Sequence, residues 1–496
     1  MSGLLLRRAR LVDGLEHHGG EPLDLLLEDG RILVVGTELE VPDAEVVELD
    51  GRWVTPGLWD EHVHFSQHAL TAQRLDVAPA ASAAEVARLV RERVVAAPPA
   101  PGEPLIGYGF RDGLWPDEPE PAHLDAIGAP VVLVSGDVHC TWANRAALHL
   151  LGMADADWLL REQPAFDLGR RISAVPVERL DAWAGEAARQ AAARGVVGIS
   201  DLEMDDAAGT WLRRIRGGTR ELRVRAAVYP YDLERARTGG IRTGAVVDGS
   251  EGLLEGGNFK LFTDGSLNTR TAYCHDPYPG LTGAEARGLA THEPAALLGL
   301  ARDGLAAGLS PTIHAIGDAA VALAIDALEA LGDLEELRGT ARMEHVQLIA
   351  EADVPRLAAL DVTASVQPEH AMDDREVADR YWAGRTGRSF AFRALHDAGV
   401  RLALGSDAPV APLDPWIAIA AATTRSRDGL EPWHPEQALE RSAALAASTH
   451  GGVLEPGSRA DLAILDADPL AVSGAELRAM PVAGTLLGAR WTHREL

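Results

Sequence analysis

The chain has 496 residues, 47% hydrophobic and 24% charged, which is enough to bury large cores without disulfide staples. A formal net charge of −28 disfavours nucleic acid and anionic membrane as partners, because both select a basic face. Only two cysteines, Cys140 and Cys274, argue against a secreted disulfide framework and for a cytoplasmic protein, and no apolar run approaches the roughly 18 residues of a membrane span.

In residues 1–15 a short apolar run comes with arginines behind it, whereas a signal peptide carries its charge first. Residues 23–28, 31–35 and 45–49 read as strands, with Asp29-Gly30 as a hairpin turn. The C-terminal end reads similarly, with strands at 461–465, around Val482 and at 484–492. The two ends predict one small β-sandwich domain, residues 1–55 and 452–496.

Between them, helices alternate with short apolar strands, which is the pattern of a parallel α/β barrel. Candidate strands fall at 58–65, 196–202, 222–229, 258–263, 309–315, 342–348, 362–367 and 400–405. Eight strands fit a closed (β/α)8 TIM barrel over residues 56–451. More than one crossover separates the first strand from the second, so 66–174 reads as an insertion over the barrel mouth.

Chemistry-bearing residues gather at the ends of these strands. His62 and His64, two apart on a strand, point to one side. Lys260 is the only lysine among 46 basic residues and sits in the apolar stretch Phe259-Lys260-Leu261-Phe262. Arginine stays protonated, whereas a buried lysine amine can turn neutral and react, for example with carbon dioxide to give a carbamate. His314, His345 and Asp407 close the fifth, sixth and eighth strands. Taken singly, each also fits a packed structural residue or a loop. Together they form a histidine and oxygen donor set suited to one or two divalent ions, zinc first.

The stretches 56–64 (PGLWDEHVH), 259–267 (FKLFTDGSL), 313–318 (IHAIGD), 343–347 (MEHVQ), 405–409 (GSDAP) and 454–462 (LEPGSRADL) resemble the amidohydrolase superfamily, in particular the amidohydrolase family 3, YtcJ-like branch. The resemblance implies that His62, His64, His314 and His345 bind metal. It implies Asp407 as ligand and general acid/base, and Lys260 as a carboxylated bridge between two metals. It further implies a homodimer acting on a small molecule, by metal-dependent hydrolysis of a carbon–nitrogen bond of the amide, N-acyl or formamide kind rather than a peptide bond. Isomerase or decarboxylase chemistry at the same site, and a non-catalytic scaffold, are the competing readings.

Gln367 and His370, in the stretch 366–370 (VQPEH), could bind substrate or steady an oxyanion, or simply pack behind the site. The segment with Asp137, His139, Trp142 and Asn144 resembles the family's lid. His139 there could reach substrate or cap a loop. Arg270 could hold a substrate carboxylate or be structural. Tyr108, Phe110, Trp115 and Trp142 fit either a substrate wall or a plain core, and Asp201 and Glu203 fit loop support.

Overall fold

The computed structural model describes residues 3–12, 21–110, 112, 115–135, 140–161, 163–173, 175–332 and 337–496. Both ends of the chain enter one sheet, in the order Arg490–Arg494, Val482–Leu487, Leu462–Leu465, Trp53–Pro56, Leu4–Leu11, Leu23–Glu28, Arg31–Gly36, with Glu45–Glu48 also paired to Leu4–Leu11. Leu4–Leu11 serves two neighbourhoods. Its start pairs with Leu23–Glu28 and Glu45–Glu48, and its end with Trp53–Pro56. The register shifts between Leu6 and Ala9, where Arg8 takes a left-handed φ of 55°, and this irregularity re-aims the strand. Leu6, Leu25 and Val47 thereby share one core with Leu462, Ile464 and Leu486.

At Gly57 the chain leaves this sheet for the barrel. A Cβ there would stand 2.3 Å from the Val197 side chain, so only glycine allows the approach. The barrel strands are β1 (Leu58–Val63), β2 (Val196–Asp201), β3 (Arg223–Val228), β4 (Leu254–Phe262), β5 (Pro311–Ala315), β6 (Arg342–His345), β7 (Thr363–Val366) and β8 (Arg401–Leu404). Each pairs in parallel with the next. All eight overlap the strands expected from sequence. β4 begins earlier, at Leu254, and runs through Gly256 and Gly257, which allow close packing. A Cβ on Gly257 would meet the Ala226 backbone at 2.7 Å.

β1 and β8 close the barrel without a full ladder. Near their C-terminal ends the Asp407 amide donates to the His62 carbonyl at 2.7 Å, and the His64 amide to the Ala408 carbonyl at 2.8 Å. Lower down, the Trp59 and Leu404 amides donate to Ser448 and Ala447 instead, so a loop segment fills the seam. Strand alternation sorts the side chains. Phe259, Leu261, Ile313 and Met343 join the core formed with the outer helices, such as Pro294–Ala306 and Asp318–Leu331. Lys260, Thr312, Arg342 and Glu344, on the other parity, are also buried and make the barrel interior polar.

Residues 68–187 form a separate compact unit, somewhat longer than the insertion expected at 66–174. Its sheet runs Leu159–Arg161, Cys140–Ala143, Val131–Ser135, Leu105–Phe110, Leu75–Asp76. Val131–Ser135 is buried on both faces, which explains its unbroken apolar sequence. Val131 and Leu133 join Phe110 and Trp142 in one core, while Val132 and Val134 join Leu148 and Leu168 in another. Trp115 packs on the first core and Tyr108 on the second, so these aromatic residues are core residues. Asn144 caps the helix Arg145–Leu150 by accepting from Ala147 N, and bonds Val131, Leu124 and Ala129 as well. Among the described residues, no helix is long and apolar enough to cross a membrane.

Candidate metal centre

His62 lies near the end of β1, and His64 follows just past it, on the same side as strand alternation requires. Asp407 follows β8 and is fixed by the hydrogen bond that its backbone amide donates to the His62 carbonyl. Its Oδ1 is 3.4 Å from Nε2 of His62 and 3.4 Å from Nε2 of His64. His345, at the end of β6, completes a buried group with His62 and Asp407 whose donor atoms all lie within 4.8 Å of one another. The His314 ring, on β5, is centred 4.5 Å from that of His345. Lys260, on β4, is 1% exposed.

The nitrogens turned away from the centre are tied down. His62 Nδ1 donates to Glu344 Oε2 at 2.6 Å, and His345 Nδ1 to Gln367 Oε1 at 2.8 Å. His314 directs Nε2 at the Gly265 carbonyl, 3.2 Å away, and at Asp264 Oδ1, 3.3 Å away. Each imidazole keeps its second nitrogen for another partner, which is the arrangement metal-ligating histidines adopt. His64 Nδ1 and His370 Nε2 are buried polar atoms without a hydrogen-bond partner. Such atoms are rare unless a ligand or ion completes them.

One backbone irregularity makes this packing feasible. Regular alternation would send Glu344 and His345 to opposite faces. His345 and Val346 instead take φ values of 74° and 46°, so both side chains reach the site. Such conformations cost about 1–3 kcal/mol each and cluster at functional sites.

Electrostatics follow from burial. Burial pushes the His62 imidazole down to about 4, against the pull of Asp407. Burial also holds His345 well below its usual range, reinforced by His314 and His62. Neutral imidazoles are the form that binds a metal. Burial alone would raise the Asp407 carboxyl, but the surrounding histidines outweigh it and keep Asp407 well below the usual carboxylate range. Burial brings the Lys260 amine down to about 8, offset in part by Glu344 and Asp407.

The other residues singled out in the sequence divide. Gln367 belongs to the cluster through His345. His370 opens the short helix Glu369 caps, His370–Asp373, rather than ending β7. Its Nε2 is 3.9 Å from Asp407 Oδ2, and its Nδ1 accepts from Gln347 Nε2 at 3.3 Å. Arg270 is exposed, with its guanidinium 5.6 Å over the Tyr381 ring. His139 and Asp137 lie outside the described residues. Asp201 accepts from Phe65 N, Glu203 N and Trp211 Nε1, and Glu203 accepts from both Gln67 nitrogens, so both organise the segment after β1. Sequence reasoning did not single out Glu344, Gln347 and Asp264. Their signal was a carboxylate or amide set in a buried strand end beside a histidine or the lysine. Asp264 accepts amide hydrogens from Tyr273, Ile316 and Gly317 and so joins the loops after β4 and β5.

Comparisons with known proteins identify the family. A family model described as "Amidohydrolase family" matches residues 45–492. Protein LONG AFTER FAR-RED 3 of Arabidopsis thaliana is 29% identical, over 89% of this chain and 83% of its own. The N-substituted formamide deformylase of Arthrobacter pascens is 27% identical over 93% of each chain. Among solved structures, an uncharacterized metal-dependent hydrolase from Pyrococcus horikoshii OT3 superposes with a TM-score of 0.78 at 25% identity, covering 96% of this chain and 99% of that one. With a family match that spans barrel and terminal sheet alike, the chain belongs to the amidohydrolase family.

Proposed function

We propose that this amidohydrolase is a metal-dependent hydrolase of carbon–nitrogen bonds in small molecules, of the amide, N-acyl or formamide kind. The observation that carries the reading is the gathering of His62, His64 and His345 around Asp407, with the far nitrogens of His62 and His345 already bonded. His62, His64, His314, His345 and Asp407 would hold the metal, with Lys260, as a carbamate, bridging a second ion. Nitrogen and oxygen donors of this kind suit zinc. A divalent ion there supplies Lewis acidity and a water acidic enough to act near neutral pH.

The chain's own groups do the rest. Asp407, held ionised by its histidines, accepts the proton of the attacking water and delivers it to the leaving nitrogen. His370, with Nδ1 occupied by Gln347, presents Nε2–H to the oxygen of the carbonyl under attack. Glu344 and Gln367 keep the ligand imidazoles in one tautomer and orientation. Similarity to a formamide deformylase makes N-substituted formamides the first substrates to try. The buried cysteines Cys140 and Cys274, not joined in a disulfide, suit a cytoplasmic place of work.

The test is elemental analysis of protein prepared with bicarbonate and without chelator, followed by a screen of formamides and N-acyl amines in ¹⁸O-water. Transition metal bound to the chain, with label in the released acid, supports hydrolysis. Turnover without label points to isomerase or decarboxylase chemistry. A chain that takes up no metal on reconstitution is a scaffold.

A further inference from the structure

Although the chain is strongly acidic, one cavity in the unit of residues 68–187 is cationic. It encloses about 390 Å³ and presents Arg74, Arg93, Arg171 and Arg179, and Glu103 is the only carboxylate among its described lining residues. Glu103 is ion-paired with Arg179. Arg93 and Arg171 bond backbone carbonyls, those of Ala97 and Leu151, and neither is within ion-pair distance of a carboxylate among the described residues. A carbonyl satisfies hydrogens but cancels no charge, so an excess of positive charge faces the cavity.

The remaining wall is apolar. Leu105 and Ile172 are buried there, and the Trp183 ring lies under the Arg179 guanidinium at 5.9 Å. The larger cavity at the N-terminal ends of the barrel strands, about 930 Å³, also presents four arginines, but Glu61, Glu255 and Glu440 share its lining. The smaller cavity is therefore the more cationic of the two, in spite of its greasy wall. Its volume falls within the roughly 300–1,000 Å³ of small-molecule sites.

We propose that this cavity binds an organic anion, a carboxylate or sulfonate on a flat apolar body, at a site separate from the metal centre. The anion would be held by Arg93 and Arg171, and its apolar body would lie against Trp183 and Ile172.

The probe is naphthalene-1-carboxylate, titrated calorimetrically into the metal-loaded full chain beside the neutral 1-naphthalenemethanol. One carboxylate should bind per chain, more weakly as salt rises, with the alcohol at least tenfold weaker. The double variant Arg93→Gln/Arg171→Gln should weaken carboxylate binding by about tenfold or more, since two charge-assisted bonds are lost. Its hydrolytic rate should stay close to the parent's, because both arginines lie in the unit of residues 68–187 and neither is among the residues assigned to the metal centre. Carboxylate binding that is unchanged in the double variant but vanishes on metal removal would locate the probe at the metal centre and overturn the proposal. Absence of binding, or equal affinity for the alcohol, would overturn it as well.

Discussion

Nδ1 of His62 lies 2.6 Å from Oε2 of Glu344, joining β1 to β6 across the barrel interior, and both side chains are sealed from solvent. The same carboxylate accepts from the Thr312 hydroxyl at 2.6 Å and from Arg342 Nε at 3.1 Å. Arg342 in turn donates to Glu61 at 2.8 Å, and Glu61 accepts from Ser200 and from His450 Nδ1. A fully bonded network of buried charges thus backs one candidate metal ligand. Such networks are stable only while each member keeps its partner.

Glu344→Gln tests that relationship. The amide oxygen can still accept from His62, but the negative charge that strengthens the imidazole as a ligand is gone, and Arg342 keeps only Glu61. Metal affinity should fall about 10–100-fold, as is usual when the group behind a ligand histidine is changed. Competition with a chromophoric chelator measures this. Unaltered affinity would mean that Glu344 serves the barrel and not the metal.

Asp407→Asn separates binding from proton transfer. Asparagine retains an oxygen that can face His62 and His64, so much of the metal should stay. Without a basic carboxylate, kcat should drop about 10²–10⁴-fold. Steady-state kinetics paired with elemental analysis reads both quantities, and a variant that keeps its kcat would remove Asp407 from the chemistry.

The barrel was legible because short strands carrying apolar residues alternate with helices, a pattern that survives without knowledge of the tertiary fold. His62, His64, His314, His345, Lys260 and Asp407 stood out because rare residue types recurred at strand ends. Glu344 did not stand out, since its role is a bond to His62 made across the barrel from β6 to β1, which no local pattern announces. The bend in Leu4–Leu11 and the seam filled by Ala447 and Ser448 were hidden for the same reason: both are long-range backbone pairings. The position of Arg270 after β4 fits either a hold on a substrate carboxylate or a structural role, and sequence alone did not foretell its exposure or its stacking on Tyr381.

A pH test concerns Asp201, whose carboxyl is raised to about 6 by burial and by the neighbouring charge of Glu203. A carboxyl raised in the folded state contributes stability below its unfolded value near 4, and that contribution is lost as pH rises through 6. Asp201→Asn keeps an acceptor for Phe65 N and Glu203 N but loses the one for Trp211 Nε1, which should destabilise by about 1–3 kcal/mol. Because wild type itself weakens with rising pH, the deficit in melting temperature should be larger at pH 5 than at pH 8. Thermal melts of metal-free protein across that range decide it, and a constant deficit would mean that Asp201 does not titrate there.

Lys260 offers the sharpest pH dependence. Only the neutral amine attacks carbon dioxide, and with Lys260 near 8 in metal-free protein its neutral fraction falls about tenfold for each pH unit below that value. Reconstitution with metal and ¹³C-bicarbonate should therefore quicken steeply from pH 6 to 8 and level off above. A carbamate ¹³C resonance should accompany the second equivalent of metal. Lys260→Arg cannot form the carbamate, so it should stop at one equivalent at every pH and show no such resonance. Two equivalents bound by the arginine variant, or a reconstitution rate indifferent to pH, would leave Lys260 as a buried structural cation held by Glu344 and Asp407.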